Sequence, residues 1–307
     1  MYDVAIIGGG PAGLSAGMYT SRGGLKTILF EKMFIGGQLA FAYIVENYPG
    51  FDKGISGPEL ANKLERQAKK FGLEALYEEV RELQLQGEIK KIITDKGTYE
   101  AKTILLCMGS SSKLLGLPKE DQFRGAGVSY CAICDGAFFR DMDVAIVGGG
   151  DTAVEDALYL SKFVNRVYLV HRRHELRASR IVQDRAFAND KITILWDTVI
   201  EEILGVDKLT GLRTLNTKTG EKKELELQGL FIAIGIIPDS HLVKELLPMS
   251  EGGFIPTDAN MKTNIPGIFA AGDIRLKSLL QIVTAASDGA IAAMSAEHYI
   301  YGKIDAK

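Results

Sequence analysis

Cysteine is scarce in this chain, with three among 307 residues. That is too few for a secreted scaffold stapled by several disulfides. Four scattered histidines and Cys107 are a poor complement to a cysteine pair, so a four-ligand zinc site is disfavoured and no metal is expected. An excess of one charge is also missing. Lys and Arg total 36 against 39 Asp and Glu, a net charge of -3, which leaves no basic footprint for nucleic acid or an anionic membrane. The longest apolar runs, such as Leu230 to Ile237, fall far short of a membrane span. The first expected strand starts at Tyr2, with no room before it for a signal or transit peptide, and the expected location is the cytoplasm. What remains is ordinary globular composition, 46% apolar and 24% charged, at a length comfortable for two domains.

Two of the three cysteines stand together in Cys131-Ala132-Ile133-Cys134-Asp135-Gly136. Thiols three positions apart close a small disulfide with little backbone movement, and a lowered thiol pKa makes such pairs exchangeable. The carboxylate of Asp135 directly follows the second cysteine, where it can carry protons during exchange. Half of a zinc site and an inert turn are the alternatives. Cys107, at the end of the apolar stretch Thr103 to Leu106, reads as a buried small hydrophobe.

The pair lies between two glycine-rich signatures. Asp3 to Ile7 is an apolar, β-branched run of the buried parallel type, followed by Gly8-Gly9-Gly10-Pro11-Ala12-Gly13 and a helical stretch from Leu14 to Arg22. Gly8, Gly10 and Gly13 fit G-x-G-x-x-G: the first for the tight turn, the second for approach of a pyrophosphate, the third for helix-on-strand packing. The next strand, Lys26 to Phe30, ends at Glu31, whose carboxylate would accept hydrogen bonds from an unmodified ribose, as in FAD or NAD. A loop glycine cluster ending in a solvated Glu is the alternative. The second signature follows Val144 to Val147, with Gly148, Gly150 and Ala153 at the three small positions and Asp151 and Thr152 between them. A helix from Ala153 to Phe163 and a strand Val167 to Val170 come next. At that strand's end stand His171-Arg172-Arg173, with Arg177 shortly after, a cluster suited to a ribose 2′-phosphate. A solvated basic face is the competing reading.

Other segments are read more coarsely. The amides of Gly37-Gln38 and Asn47 can reach a bound ring system, or these residues simply form turns. Gly57 to Phe71 is expected as an amphipathic helix, and the apolar run Leu230 to Pro238 ends at the second domain boundary. Phe269 to Asp273 is an apolar strand ending in Gly-Asp; its Asp273 binds a sugar or ribityl hydroxyl, or caps a helix. Gln281 to Met294 reads as a small-residue helix able to pack closely on a cofactor or sheet.

Together these motifs resemble the low-molecular-weight thioredoxin reductases, and the match spans essentially the whole chain. The resemblance implies an α/β fold of two Rossmann-like domains, an NADPH domain over 114–240 inserted into a discontinuous FAD domain over 1–113 and 241–307, with the hinge near 113 and 240. It implies FAD contacts from Gly8, Gly10, Pro11, Ala12, Gly13, Glu31, Gly37, Gln38, Asn47, Asp273 and Gln281. NADPH contacts would come from Gly148, Gly150, Asp151, Thr152, Ala153, His171, Arg172, Arg173 and Arg177. NADPH would reduce the flavin, the flavin the Cys131–Cys134 disulfide, and the dithiol thioredoxin, in a homodimer. Cys134 would lie next to the flavin and start attack on the partner, Cys131 would resolve, and Asp135 would be the acid-base group. Met108 and Leu280 depart from the family's usual Thr and Arg near the flavin, Ile133 from Thr between the cysteines, and Ala137 from an aromatic near the docking site. A flavoprotein redox sensor is the alternative from another class.

Overall fold

A computed structural model describes residues 1–42 and 44–302. The chain forms two units: Met1–Ser111 together with the chain from Ile237 onward, and Ser112–Ile236 between them. These crossings lie a few residues before the expected boundaries at 113 and 240.

The first unit starts with β1 (Tyr2–Ile7), α1 (Pro11–Arg22) and β2 (Thr27–Glu31), then α2 (Gly57–Lys70) and β3 (Glu74–Tyr77). An antiparallel run follows: β4 (Val80–Gln84), β5 (Lys90–Thr94) and β6 (Thr98–Leu106). The chain leaves through β7 (Ser110–Ser112). In the second unit, β8 (Val128–Ser129) leads into α3 (Ala132–Asp135), β9 (Asp143–Gly148), α4 (Asp151–Leu160), β10 (Arg166–Val170), α5 (Arg180–Phe187) and β11 (Ile192–Leu195). Three antiparallel strands come next, β12 (Thr198–Gly205), β13 (Leu209–Asn216) and β14 (Lys222–Glu226), before β15 (Gly229–Ala233). The chain leaves by β16 (Ile236–Pro238), and β17 (Ile268–Ala270) and α6 (Ile282–Tyr301) complete the first unit.

Each unit is wound around a strand with neighbours on both sides. In the first, β1 pairs in parallel with β2 and β6, in the order β3-β2-β1-β6, and β17 pairs in parallel with the upper part of β6. In the second, β9 lies between β10 and β15 in the order β11-β10-β9-β15-β8, all parallel. Winding that reverses at one strand opens a crevice at that strand's carboxyl end, and there each glycine signature sits. Strands buried on both faces explain the continuous apolar runs: Val4 to Ile6, Ile104 to Leu106 and Val144 to Ile146 are all 0% exposed. One core in the first unit lies under α1 and α6 and another on the opposite face of the sheet. In the second unit one core lies under α4 and α5 and the other beneath the three-stranded sheet.

The apolar run Leu230 to Pro238 is split between β15 and β16, where Gly235 adopts φ 118°. The last helix runs on past Met294 to Tyr301 and stops at Gly302, which takes the left-handed conformation (φ 63°) that ends helices.

Candidate active site

The turn after β1 is shaped by what a side chain would strike. A Cβ on Gly13 would lie 2.0 Å from the Gly8 carbonyl oxygen, and one on Gly8, at φ 106°, would lie 2.4 Å from the Cys107 carbonyl oxygen. These two glycines are required by the protein itself. Gly10 differs, since a Cβ there would meet nothing closer than 4.0 Å. It is also the N-cap of α1 and offers no side-chain cap, so the helix's first amides face that open space. Open room above an uncapped helix N-terminus fits a pyrophosphate. Glu31 stands beside it: one carboxylate oxygen accepts from the Gly9 amide at 2.8 Å and the other from the Met33 amide at 2.9 Å.

Of the other predicted residues of the first unit, Gly37 meets this turn, and Asn47 and Gln281 meet each other. Gly37 begins a 3₁₀ turn over Gly37–Phe41 that also holds Gln38, and a Cβ on Gly37 would lie 3.5 Å from the Gly10 Cα. The Asn47 amide donates to the Gln281 side-chain oxygen at 3.0 Å, and Gln281 and Thr284 cap α6 reciprocally. Gly272 closes on Ala12, whose Cβ is 2.8 Å from where its own would be. Asp273 is held by Lys277, with Oδ1 3.1 Å from the ammonium. Burial raises its carboxyl above the usual range, against the opposing pull of Lys277. A part-exposed carboxyl beside the glycine turn, paired with Lys277 through one oxygen, fits a polyol hydroxyl, so this set of donors and acceptors suits FAD.

Beneath it lies an ionic cluster that the sequence reading missed. Asp288 accepts from the Gly272 amide (3.1 Å), Arg275 (3.1 Å) and Lys277 (3.1 Å), and Arg275 also donates to Thr257 at 2.9 Å. Asp288 is 6% exposed and lies on the stretch read only as a small-residue helix. A lone carboxylate on that stretch, with two cations just after Asp273, was the available signal.

In the second unit, a Cβ on Gly148 would lie 2.5 Å from both the Ala153 Cβ and the Ala233 carbonyl oxygen, so Ala153 fills the third small position to contact. Gly150 caps α4 with nothing within 4 Å of a Cβ, again an open cradle. Asp151 accepts from the Ser179 amide at 2.8 Å, which lowers its carboxyl pKa, and Thr152 is exposed. Arg172, Arg173 and Arg177 are exposed, and the loop carrying them is tied to the glycine turn by the Arg177 amide, 2.7 Å from the Gly149 carbonyl. Exposed guanidinium groups on a loop tied to an open glycine turn suit a 2′-phosphate.

His171 does not stand with these arginines. It is 4% exposed, its ring lies against Gly149, and its nitrogens contact the Gly148 and Glu175 carbonyls at 2.7 and 3.0 Å. The expected ligand contact thus becomes a brace beneath the loop, because a ring spent on two backbone carbonyls has no nitrogen left for a phosphate.

Cys131 and Cys134 are joined by a disulfide. The Cys134 amide donates to the Cys131 sulfur at 3.2 Å, so the first cysteine caps the short helix α3 that carries the second. The turn is docked on α4: Ala132 is buried in that core, and a Cβ on Gly136 would come within 2.9 Å of Leu160. Asp135 accepts a 2.6 Å hydrogen bond from Ser129. Burial raises its carboxyl pKa, while Ser129 and Arg124 oppose that shift. A carboxyl that keeps its proton at higher pH, next to an exchangeable disulfide, is equipped for proton transfer. Ile133, between the two cysteines, and Phe138, just after them, are exposed. Cys107 is buried, and burial pushes its thiol pKa up, so it takes no part in exchange. Among the described residues no group of three or more His, Cys, Asp or Glu can hold a metal, and no helix is long and apolar enough to cross a membrane.

Comparison with known proteins agrees with this geometry. Residues 2–290 match the family described as pyridine nucleotide-disulphide oxidoreductase. A thioredoxin reductase of Peptoclostridium litorale is 48% identical over 306 residues, covering 98% of this chain and 97% of its own. That of Bacillus subtilis (strain 168) is 48% identical over 301 residues, covering 98% and 95%. The crystal structure of a thioredoxin reductase from Streptococcus pyogenes MGAS5005 superposes with a TM-score of 0.94 at 47% identity, covering 98% of this chain and 99% of that one.

Proposed function

Since the chain belongs to the pyridine nucleotide-disulphide oxidoreductases, and among them to the thioredoxin reductases, we propose that it reduces thioredoxin through Cys131 and Cys134 at the expense of NADPH. The single observation that carries this reading is the Cys131–Cys134 disulfide with the raised carboxyl of Asp135 beside it. FAD and NADPH, when bound, supply the electron pair that opens the disulfide. The first unit is the FAD domain, and the second, Ser112–Ile236, the NADPH domain. Gly8, Gly10, Pro11, Ala12 and Gly13 cradle the FAD pyrophosphate, Glu31 takes the ribose, and Asp273 a chain hydroxyl. Gly37, Gln38, Asn47 and Gln281 border the ring. Gly148, Gly150, Asp151, Thr152 and Ala153 cradle NADPH, and Arg172, Arg173 and Arg177 read its phosphate.

The dithiol chemistry belongs to the protein. The Cys134 thiolate attacks the partner disulfide, forming a mixed disulfide and releasing one partner sulfur, which takes a proton from Asp135. Cys131 then gives its proton back to Asp135 and attacks Cys134, releasing the second partner sulfur. Two electrons leave the dithiol and the partner is reduced. Steady-state NADPH oxidation with an oxidised thioredoxin tests this; consumption that does not depend on thioredoxin contradicts it.

We also place the protein in the cytoplasm, where a reducing pool suits an exchangeable pair, and as a homodimer. Val283, Ile291 and Met294, exposed along α6, offer a second copy an apolar face. Sedimentation of the holoprotein as a monomer would remove that assignment.

Two glycines with different jobs give a test of the FAD cradle. Gly13→Ala should destabilise the apoprotein by about 1–3 kcal/mol, because its methyl strikes the Gly8 carbonyl. Gly10→Ala should leave apoprotein melting unchanged and weaken FAD at least about tenfold, the cost of one charge-assisted bond to a phosphate. Fluorescence titration of the apoprotein with FAD and thermal melts read both. Equal FAD affinity in Gly10→Ala and the parent contradicts the assignment.

Coenzyme choice is tested at the arginines. The Arg172→Ala/Arg173→Ala double variant should lose at least about tenfold in kcat/KM for NADPH, since a charge-assisted bond is worth roughly 1.5–3 kcal/mol. NADH, without the 2′-phosphate, should change little. Equal losses for both coenzymes would mean a solvated basic face.

A further inference from the structure

Ser129, the last residue of β8, is 4% exposed, and its hydroxyl lies between the redox turn and Asp135. It donates to Asp135 Oδ2 at 2.6 Å and accepts from the Cys131 amide at 3.1 Å. The Cys131 carbonyl is a second acceptor for the same hydroxyl at 3.4 Å. β8 is held by its pairing with β15, Ser129 opposite Phe231, so the hydroxyl is presented from a sheet and not from a mobile loop.

We propose that Ser129 is a positioning residue for thiol–disulfide exchange, holding the Asp135 carboxyl against the Cys131 end of the redox pair in both of its protonation states. The inference rests on Asp135 being the proton carrier. When Asp135 is charged, the Ser129 hydroxyl donates to it. When Asp135 is protonated, its own O–H donates to Ser129, and the serine hydrogen turns to the Cys131 carbonyl. A hydroxyl has one proton to donate and two lone pairs, so it satisfies the carboxyl either way. Without such a partner, one of the two states would leave a buried polar group unmet on each catalytic cycle. The atoms balance as in the exchange above: the proton Asp135 gives to the first leaving partner sulfur is replaced by the one Cys131 loses, and the serine hydrogen only changes direction.

Few other charges bear on this carboxyl. Arg124 acts on it from the loop before β8. Tyr130, beside Ser129, is engaged with Glu120 at 2.8 Å. On α4, packed against α3, burial raises the Asp156 carboxyl to about 6. Ser129 contacts both the carboxyl and the redox turn.

The test uses holoenzyme pre-reduced with NADPH under anaerobic conditions, mixed rapidly with oxidised thioredoxin across a range of pH. The variants are Ser129→Ala, Ser129→Thr, Asp135→Asn and Ser129→Ala with Asp135→Asn. Ser129→Ala should slow dithiol oxidation about tenfold, as expected of a misplaced catalytic group. It should also move the alkaline fall of the profile to higher pH, because the lost hydrogen bond favoured the charged carboxylate. Ser129→Thr, which keeps the hydroxyl, should restore rate and profile. Asp135→Asn should abolish the fall, and adding Ser129→Ala to it should cost nothing more. A parent-like rate and profile in Ser129→Ala, while Asp135→Asn is slow, overturns the inference and leaves the role of Asp135 standing. An unimpaired Asp135→Asn overturns the role of Asp135 itself. Losses that multiply in the double variant overturn the inference too, since Ser129 would then act through the fold alone. Should the alanine variant not fold, infrared difference spectra of the parent across the Asp135 titration, with Asp135→Asn as blank, read the same bond. A hydrogen-bonded carboxyl band is expected, and a free-carboxyl band overturns the proposal.

Discussion

Cys134→Ser and Cys131→Ser are each expected to lose thioredoxin reduction altogether, while NADPH still bleaches the flavin. The two substitutions remove the only exchangeable sulfurs, because Cys107 is the third cysteine and is buried with its thiol pKa pushed up. They leave the second glycine turn and its arginines untouched, so coenzyme binding and flavin reduction persist. The variants also differ from each other. Cys131→Ser keeps the attacking sulfur and should accumulate a mixed disulfide with thioredoxin that cannot resolve; Cys134→Ser should not. Gel analysis under non-reducing conditions separates them. Mixed disulfide on Cys131 instead would reverse the two roles. Appreciable turnover in either variant would sink the dithiol route.

Asp135→Asn is expected to slow dithiol-to-thioredoxin transfer by about 10²-fold or more, the usual size of a general acid-base contribution. Its effect on stability should be opposite in sign to its effect on rate. Burial raises the folded-state pKa of Asp135, so the folded protein holds that proton more tightly than the unfolded chain does. The group's contribution is then full below the unfolded pKa and declines as pH rises through the folded one. At neutral pH the carboxylate is a burden on the fold, which asparagine lifts. Thermal melts should place Asp135→Asn at or above the parent at pH 8, with the advantage shrinking as pH falls. A variant both slow and less stable at pH 8 would point to a structural carboxylate.

The order of strands and glycine turns was legible because each turn announces itself locally: a β-branched run, glycines at fixed spacing, a helix. The contacts behind the pattern also follow it, since Gly13 meets Gly8 and Gly148 meets Ala153 where small residues were expected. Side-chain direction was not legible. His171 adjoins Arg172 in sequence, yet its ring turns inward beneath Gly149 while the arginines face out. Nothing in the order His-Arg-Arg states that alternation once the strand has ended. Partnerships across distance were equally hidden. Asp288 reaches Gly272 from sixteen residues away, and Asn47 meets Gln281 across 234. Such pairs depend on where helix α6 lies against the sheet. Ser129 was nearer to hand, two residues before Cys131, but a lone serine carries no signal until its hydroxyl has a partner.

The passage of electrons to thioredoxin through Cys131 and Cys134 is tested most directly by trapping those sulfurs. Anaerobic holoenzyme is treated with NADPH, a portion is then given oxidised thioredoxin, and both are quenched with an alkylating reagent and mapped by mass spectrometry. NADPH should open Cys131 and Cys134 to alkylation, and oxidised thioredoxin should close them again while its own two thiols appear in equal amount. If thioredoxin becomes reduced while Cys131 and Cys134 stay joined throughout, the electrons take another path.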